Sequence, residues 1–128
     1  MYFIGKINRE IYRCVTESIV SEEVVITENQ ILHIKERHPG DYERLAKYLQ
    51  EAVEKPDYIV ETNKADTALV LKEIICDETI IKMVIRLVTK HDNPTYKNSI
   101  ITFMKIDEKE WSRLLRNKKI LYYILCQI

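Results

Sequence analysis

T-A-L-V-L-K-E-I-I-C-D-E-T-I-I-K-M-V-I-R-L-V-T, residues 67–89, is the stretch whose reading decides the fold. Thr67–Cys76 and Thr79–Thr89 are rich in β-branched residues and are joined by Asp77-Glu78, so they read as a hairpin. Alternation along a strand sorts side chains by face. Lys72 then shares a face with Ala68, Val70 and Ile74, and Arg86 shares one with Lys82, Val84 and Val88. A Lys and an Arg inside a sheet cost free energy unless they are paired. Either they converge on a cationic pocket, or both lie on the solvent side of a half-exposed sheet.

Downstream of this pair, His91–Tyr96 reads as a loop and Asn98–Ile106 as a third strand. In that strand Asn98 and Thr102 point together, while Ser99 points the other way with Ile101 and Phe103. Asp107 is placed to cap a helix that runs to about Arg116, with Glu110 at the capping-box position. Lys119–Leu125 is the expected final strand. Upstream, residues 1–7 and 10–15 look like short strands with a turn near Asn8, and Val24–Ile26 is briefly extended. A helix over about 41–54 shows an apolar stripe of Tyr42, Leu45, Leu49 and Val53. Tyr58–Glu61 is a short strand. Helices first and a meander after them give an α+β fold: N-terminal helices packed on a four-stranded antiparallel sheet, with short extra N-terminal strands. Residues 1–128 are expected to form one domain, with 1–26 as an extension and 27–125 as the core.

The polar chemistry gathers in T-E-N-Q-I-L-H-I-K-E-R-H-P-G, residues 27–40. Thr27 and Gln30 have the spacing of a capping box, and Pro39-Gly40 stops the helix. At about 100° per residue, Ile31, Ile34 and His38 fall on one side. His33 and Arg37 are four apart, so their side chains lie one above the other on the same face. An imidazole stacked beside a permanent cation suits work on a phosphodiester. His38 reads as a structural histidine on the apolar side. His33 and His38 are five apart with no further ligand, which is not a zinc pattern.

Formal net charge is zero, but it is unevenly spread. Residues 1–81 hold 10 Lys/Arg and 16 Asp/Glu, and residues 82–128 hold 10 and 4. That split is compatible with a basic surface built from the C-terminal strands. Cys14, Cys76 and Cys126 are odd in number and widely spaced, as expected of reduced thiols in the cytoplasm. No apolar run is long enough for a membrane span, and Met1–Gly5 lacks the features of a signal peptide. One of Tyr122 and Tyr123 is expected in the core, leaving the other to stack on a base.

Several short motifs occur in order: I-T-x-x-Q-I-x-H-I-x-x-R-H-P, K-P-D-Y-I, T-A-x-x-L-K, I-R-L, K-N-S-I-I-T-F and K-K-I-L-Y. From Ile26 to about Tyr123 the chain resembles the phage-type branch of the barnase–EndoU–colicin–RelE nuclease superfamily. The resemblance implies metal-independent RNA cleavage without a cofactor, in a phage or prophage setting and in a toxin-like role. It marks His33, Arg37, Lys72, Arg86, Ser99 and Thr102 as catalytic, and His38, Asn98, Lys119 and Tyr122 as RNA-binding. Gln30 departs from the pattern, since a basic residue is expected there. The expected partners are an RNA substrate and an inhibitor or immunity protein, with no membrane and no metal. The competing reading is a non-catalytic RNA- or protein-binding module on a nuclease-like scaffold.

Overall fold

In the computed structural model, which describes residues 1–127, the two β-branched runs become β4 (Thr67–Ile74) and β5 (Thr79–Arg86). They pair antiparallel from Thr67 opposite Arg86 to Ile74 opposite Thr79. Their connection is a 3-10 turn over Ile75–Asp77, with Glu78 at φ 48°, in the left-handed region. β3 (Tyr58–Val60) flanks β4, and β6 (Asn98–Ile106) flanks β5, both antiparallel.

The α+β class holds, but the expected four-stranded meander does not match in detail. The sheet has seven strands in the order β1-β2-β6-β5-β4-β3-β7. β7 (Ile120–Tyr123) does not follow β6; it pairs with β3 at the far edge. β3 matches the short strand expected at Tyr58–Glu61 to within a residue, and its Ile59 and Val60 are wholly buried. At the other edge β1 (Tyr2–Lys6) pairs antiparallel with β2 (Glu23–Ile26). β2 joins β6 in parallel, placing Val25 beside Ser99.

Residues 10–15 are not a strand. Asn8 caps α1 (Arg9–Tyr12), its Oδ1 accepting from the Glu10 N–H at 2.9 Å. Ile11 and Tyr12 are both buried, and the Tyr12 hydroxyl donates to the Val53 carbonyl at 2.8 Å. α2 (Glu28–Arg37) carries the capping box foreseen, with Thr27–Gln30 bonds of 3.1 and 3.2 Å. The helix expected over 41–54 is broken into α3 (Asp41–Leu45), a 3-10 turn and α4 (Leu49–Glu54). Its stripe still faces inward: Leu45, Leu49 and Val53 are buried and Tyr42 packs against them. α1–α4 and their connections cover one face of the sheet. Each Ile or Leu sealed there contributes about 1.5–3 kcal/mol over its exposed state.

On the second face, α5 (Glu108–Asn117) places Leu114 and Trp111 against Val60, Leu69, Leu71, Ile80 and Ile106. Asp107 caps α5 by accepting from the Glu110 N–H at 2.8 Å, while the Glu110 carboxylate turns to Arg113 and Lys82. Neither Cys14 nor Cys76 is in a disulfide; the side chain of Cys126 lies outside the described residues. Among the described residues, no helix is long and apolar enough to cross a membrane.

Candidate active site

One inserted residue sets the layout of the site. In the β5–β6 pairing Ile85 faces Ile100 but Val84 faces Thr102, so Ile101 is the extra residue of a β-bulge. A bulge moves every later side chain to the opposite face from strict alternation. Ser99 and Thr102, expected on opposite faces, therefore both lie on the second face, while Asn98 goes to the other. Arg86 is on the second face too, directly opposite Ser99. The neighbours of Arg86 along β5 settle this: Met83 and Ile85 belong to the helix-side core, and Ile80 to the core under α5.

Arg86 and Ser99 line a cavity of about 370 Å³ together with Val25, Thr27, Val88, Asp92, Thr95, Tyr96 and Lys97. Arg86 is held from behind. One guanidinium nitrogen donates to the Leu87 carbonyl, and the other to Asp92 Oδ1 at 3.0 Å. Asp92 Oδ2 in turn accepts from the Thr89 N–H at 2.8 Å and from its hydroxyl at 3.3 Å. The Thr89 backbone N–H, and then the Arg86 charge, hold the Asp92 carboxyl below the usual aspartate range despite partial desolvation. A guanidinium has five N–H donors. Anchoring two groups in this way fixes the plane and leaves donors for an oxyanion. Lys97 is engaged with Glu23 at 2.6 Å, and this contact holds the Glu23 carboxyl below its ordinary range.

Arg86, Ser99 and Thr102 are thus brought to one face, the first two to one cavity. His33 and Arg37 do not line that cavity. They project from α2, whose Ile31 and Ile34 are buried. The flank of α2 carrying Lys35 is tied to α3, with Glu43 at 3.7 Å and the Tyr42 ring at 5.0 Å. Gln30, His33 and Arg37 lie on the opposite flank by helical spacing. Thr27, at the start of α2, is the point where helix and cavity meet. His38 is the half-buried C-cap of α2.

Four expected site residues are placed elsewhere. Lys72 is buried on the helix side, paired with Asp57 at 3.3 Å and Glu51 at 3.6 Å. It is separated from Arg86 by the thickness of the sheet, so the two never form one cationic pocket. Pairing with two carboxylates, rather than exposure, is what makes a lysine tolerable there. Asn98 is fully buried and stitches strands together, donating to the Ser21 and Glu23 carbonyls and accepting from the Val88 N–H. Both amide hydrogens are used in these bonds within the protein. Tyr122 belongs to the helix-side core at 7% exposure, and Tyr123 is the exposed one of the pair. Lys119 is exposed beside β7, three strands from β5, roughly 14 Å at ordinary strand spacing.

Asp92, Thr27 and Tyr96 were not foreseen. A signal for Asp92 exists: it is the one acidic residue between Lys82 and Ile106. A carboxylate alone in a basic segment is a natural partner for an arginine six residues before it. Among the described residues, no three His, Cys, Asp or Glu side chains are grouped as a metal site requires.

The family model described as phage-Barnase-EndoU-ColicinE5/D-RelE like nuclease2 matches residues 4–123. Comparisons with curated proteins and with solved structures gave no match. The family match runs from inside β1 to the last residue of β7, and so takes in both edges of the sheet as well as the Arg86–Ser99 cavity. On that match the chain belongs to the phage barnase–EndoU–colicin E5/D–RelE-like nuclease 2 family.

Proposed function

We propose that this protein is an endoribonuclease that cleaves by transesterification without a metal ion, and that Arg86 grips the scissile phosphate. The supporting observation is the Arg86–Ser99 pair, facing each other across two strands at the floor of an open cavity. In the reaction the ribose 2′-hydroxyl attacks its own phosphorus, the 5′-oxygen leaves, and a 2′,3′-cyclic phosphate remains. Negative charge grows on the phosphoryl oxygens as the pentacoordinate state forms. A planar guanidinium, already oriented by Asp92 and the Leu87 carbonyl, meets two such oxygens at once without reorganising. Ser99 and Thr102 supply hydroxyls to phosphate or ribose.

The 2′-hydroxyl proton needs a base and the leaving oxygen an acid. His33 is our assignment for the base, as the exposed imidazole one turn from Arg37 on α2. Arg37, one turn further on the same flank of α2, adds positive charge. α2 packs on the helix side and Arg86 opens on the second face, so this assignment requires the bound RNA to draw His33 and the cavity to one phosphate round Thr27, where helix and cavity meet. The candidates for the second proton are His38, Lys72 and Tyr122; Lys72 and Tyr122 are buried in the sheet, and His38, half-buried at the end of α2, is our assignment.

The test is cleavage of RNA in excess EDTA, with the ends identified as cyclic phosphates. His33→Ala is expected to lower the rate about 100-fold or more while the protein stays folded. A strict requirement for added magnesium would remove the mechanism, and an active, folded His33→Ala would move the base elsewhere. A second reading, binding without turnover, is favoured by one observation: His33 does not line the Arg86 cavity. Salt-sensitive RNA binding with no cleavage product would establish it.

A further inference from the structure

The cavity lining mixes two chemistries. Arg86, Ser99 and Thr27 give cationic and hydroxyl groups suited to phosphate and ribose. Among them stand apolar and aromatic groups: Val25 beside Ser99 on the next strand, Val88, Met1 and the Tyr96 ring, which is 61% exposed. Phe3 stands outside this lining. It is the strand partner of Val25, lies on the same face of the sheet, and is 58% exposed. Large apolar side chains standing in solvent together around a concave site mark a surface built to be covered. Tyr96 sits just before β6 on a turn closed by its backbone N–H donating to the Asn93 carbonyl at 3.0 Å.

A phosphate alone would use only the polar groups. A ligand that carries both an anion and a flat apolar ring, joined within one nucleotide, uses both. Resting on the ribonuclease reading above, we propose that Tyr96 is the stacking platform for a nucleobase next to the phosphate held by Arg86. The substrate is accordingly single-stranded RNA, because a base held in a duplex stack cannot turn its face to a protein ring.

The test uses the intact protein and three uncleavable 2′-O-methyl oligonucleotides: a single strand, the same strand with abasic residues, and its duplex. Wild type is expected to bind the single strand at least about fivefold more tightly than either of the others, the size of one lost base–aromatic stack. Tyr96→Ala is expected to remove that preference and leave abasic binding unchanged, while Tyr96→Phe keeps it. Equal affinity of wild type and Tyr96→Ala for the single strand overturns the stacking platform alone. If wild type neither binds nor cleaves single-stranded RNA, the ribonuclease reading fails, and the platform with it. Tyr96 is exposed on a loop, so loss of folding is not expected; circular dichroism of each variant checks this.

Discussion

Two cations were read from the same hairpin, and the structure gives them opposite circumstances. Lys72 is enclosed by Asp57 and Glu51, whereas Arg86 opens on a cavity with its back held by Asp92. Arg86→Ala is expected to lower RNA cleavage by about 100-fold or more, as loss of one group that stabilises transition-state charge does. Lys72→Met is expected to leave cleavage nearly intact but to lower stability by about 1–2 kcal/mol, since Asp57 keeps its bond from the Glu73 N–H. Steady-state rates beside denaturant unfolding of the two variants separate these outcomes. Asp92 adds a pH dependence. Its carboxyl sits below the usual range when folded, so the folded chain binds that proton less tightly than the unfolded chain. The resulting stability is fully present above the unfolded value of about 3.9 and is lost as pH falls through the lower folded value. Asp92→Asn should therefore be less stable than wild type near neutrality, with the gap closing in acid; unfolding curves across that range measure it.

At the scale of elements, the capping box of α2 is a local device that ties the helix start to the cavity rim. Thr27→Ala is expected to cost about 1 kcal/mol, read as a lowered thermal midpoint. This box was legible in the sequence because its signal is short-range: two side chains and two backbone groups within four residues. The β4–β5 hairpin and the cap of α5 were legible for the same reason. What could not be read was set by distant partners. Ile11 and Tyr12 alternate acceptably with their neighbours, yet a helical turn buries both, and only the Val53 carbonyl explains where the Tyr12 hydroxyl goes. The face of Thr102 depended on a bulge that exists only in relation to β5. Strict alternation put Ser99 and Thr102 apart, and one inserted residue reverses that. Lys72 was misplaced because its carboxylate partners lie 15 and 21 positions earlier, with nothing in the intervening residues to announce them.

Over the whole molecule, the excess of positive charge in residues 82–128 falls on β5, β6, α5 and the segments that join them to one another and to β7. Binding of uncleavable single-stranded RNA should weaken steeply with added salt. Arg86→Ala should reduce the slope of log affinity against log salt by about one, while Lys72→Met leaves it unchanged. Titrations at several ionic strengths decide this. The parallel join between β2 and β6 bears on when such activity can begin. Val25 and Ser99 meet there across 74 intervening steps of chain, and a contact so distant is costly to close early. They also share the wall of the cavity. A nascent chain that has not yet emerged as far as Arg86 has the β2 wall of the cavity without the β5 and β6 wall, so on the ribonuclease reading cleavage waits until these distant strands have met.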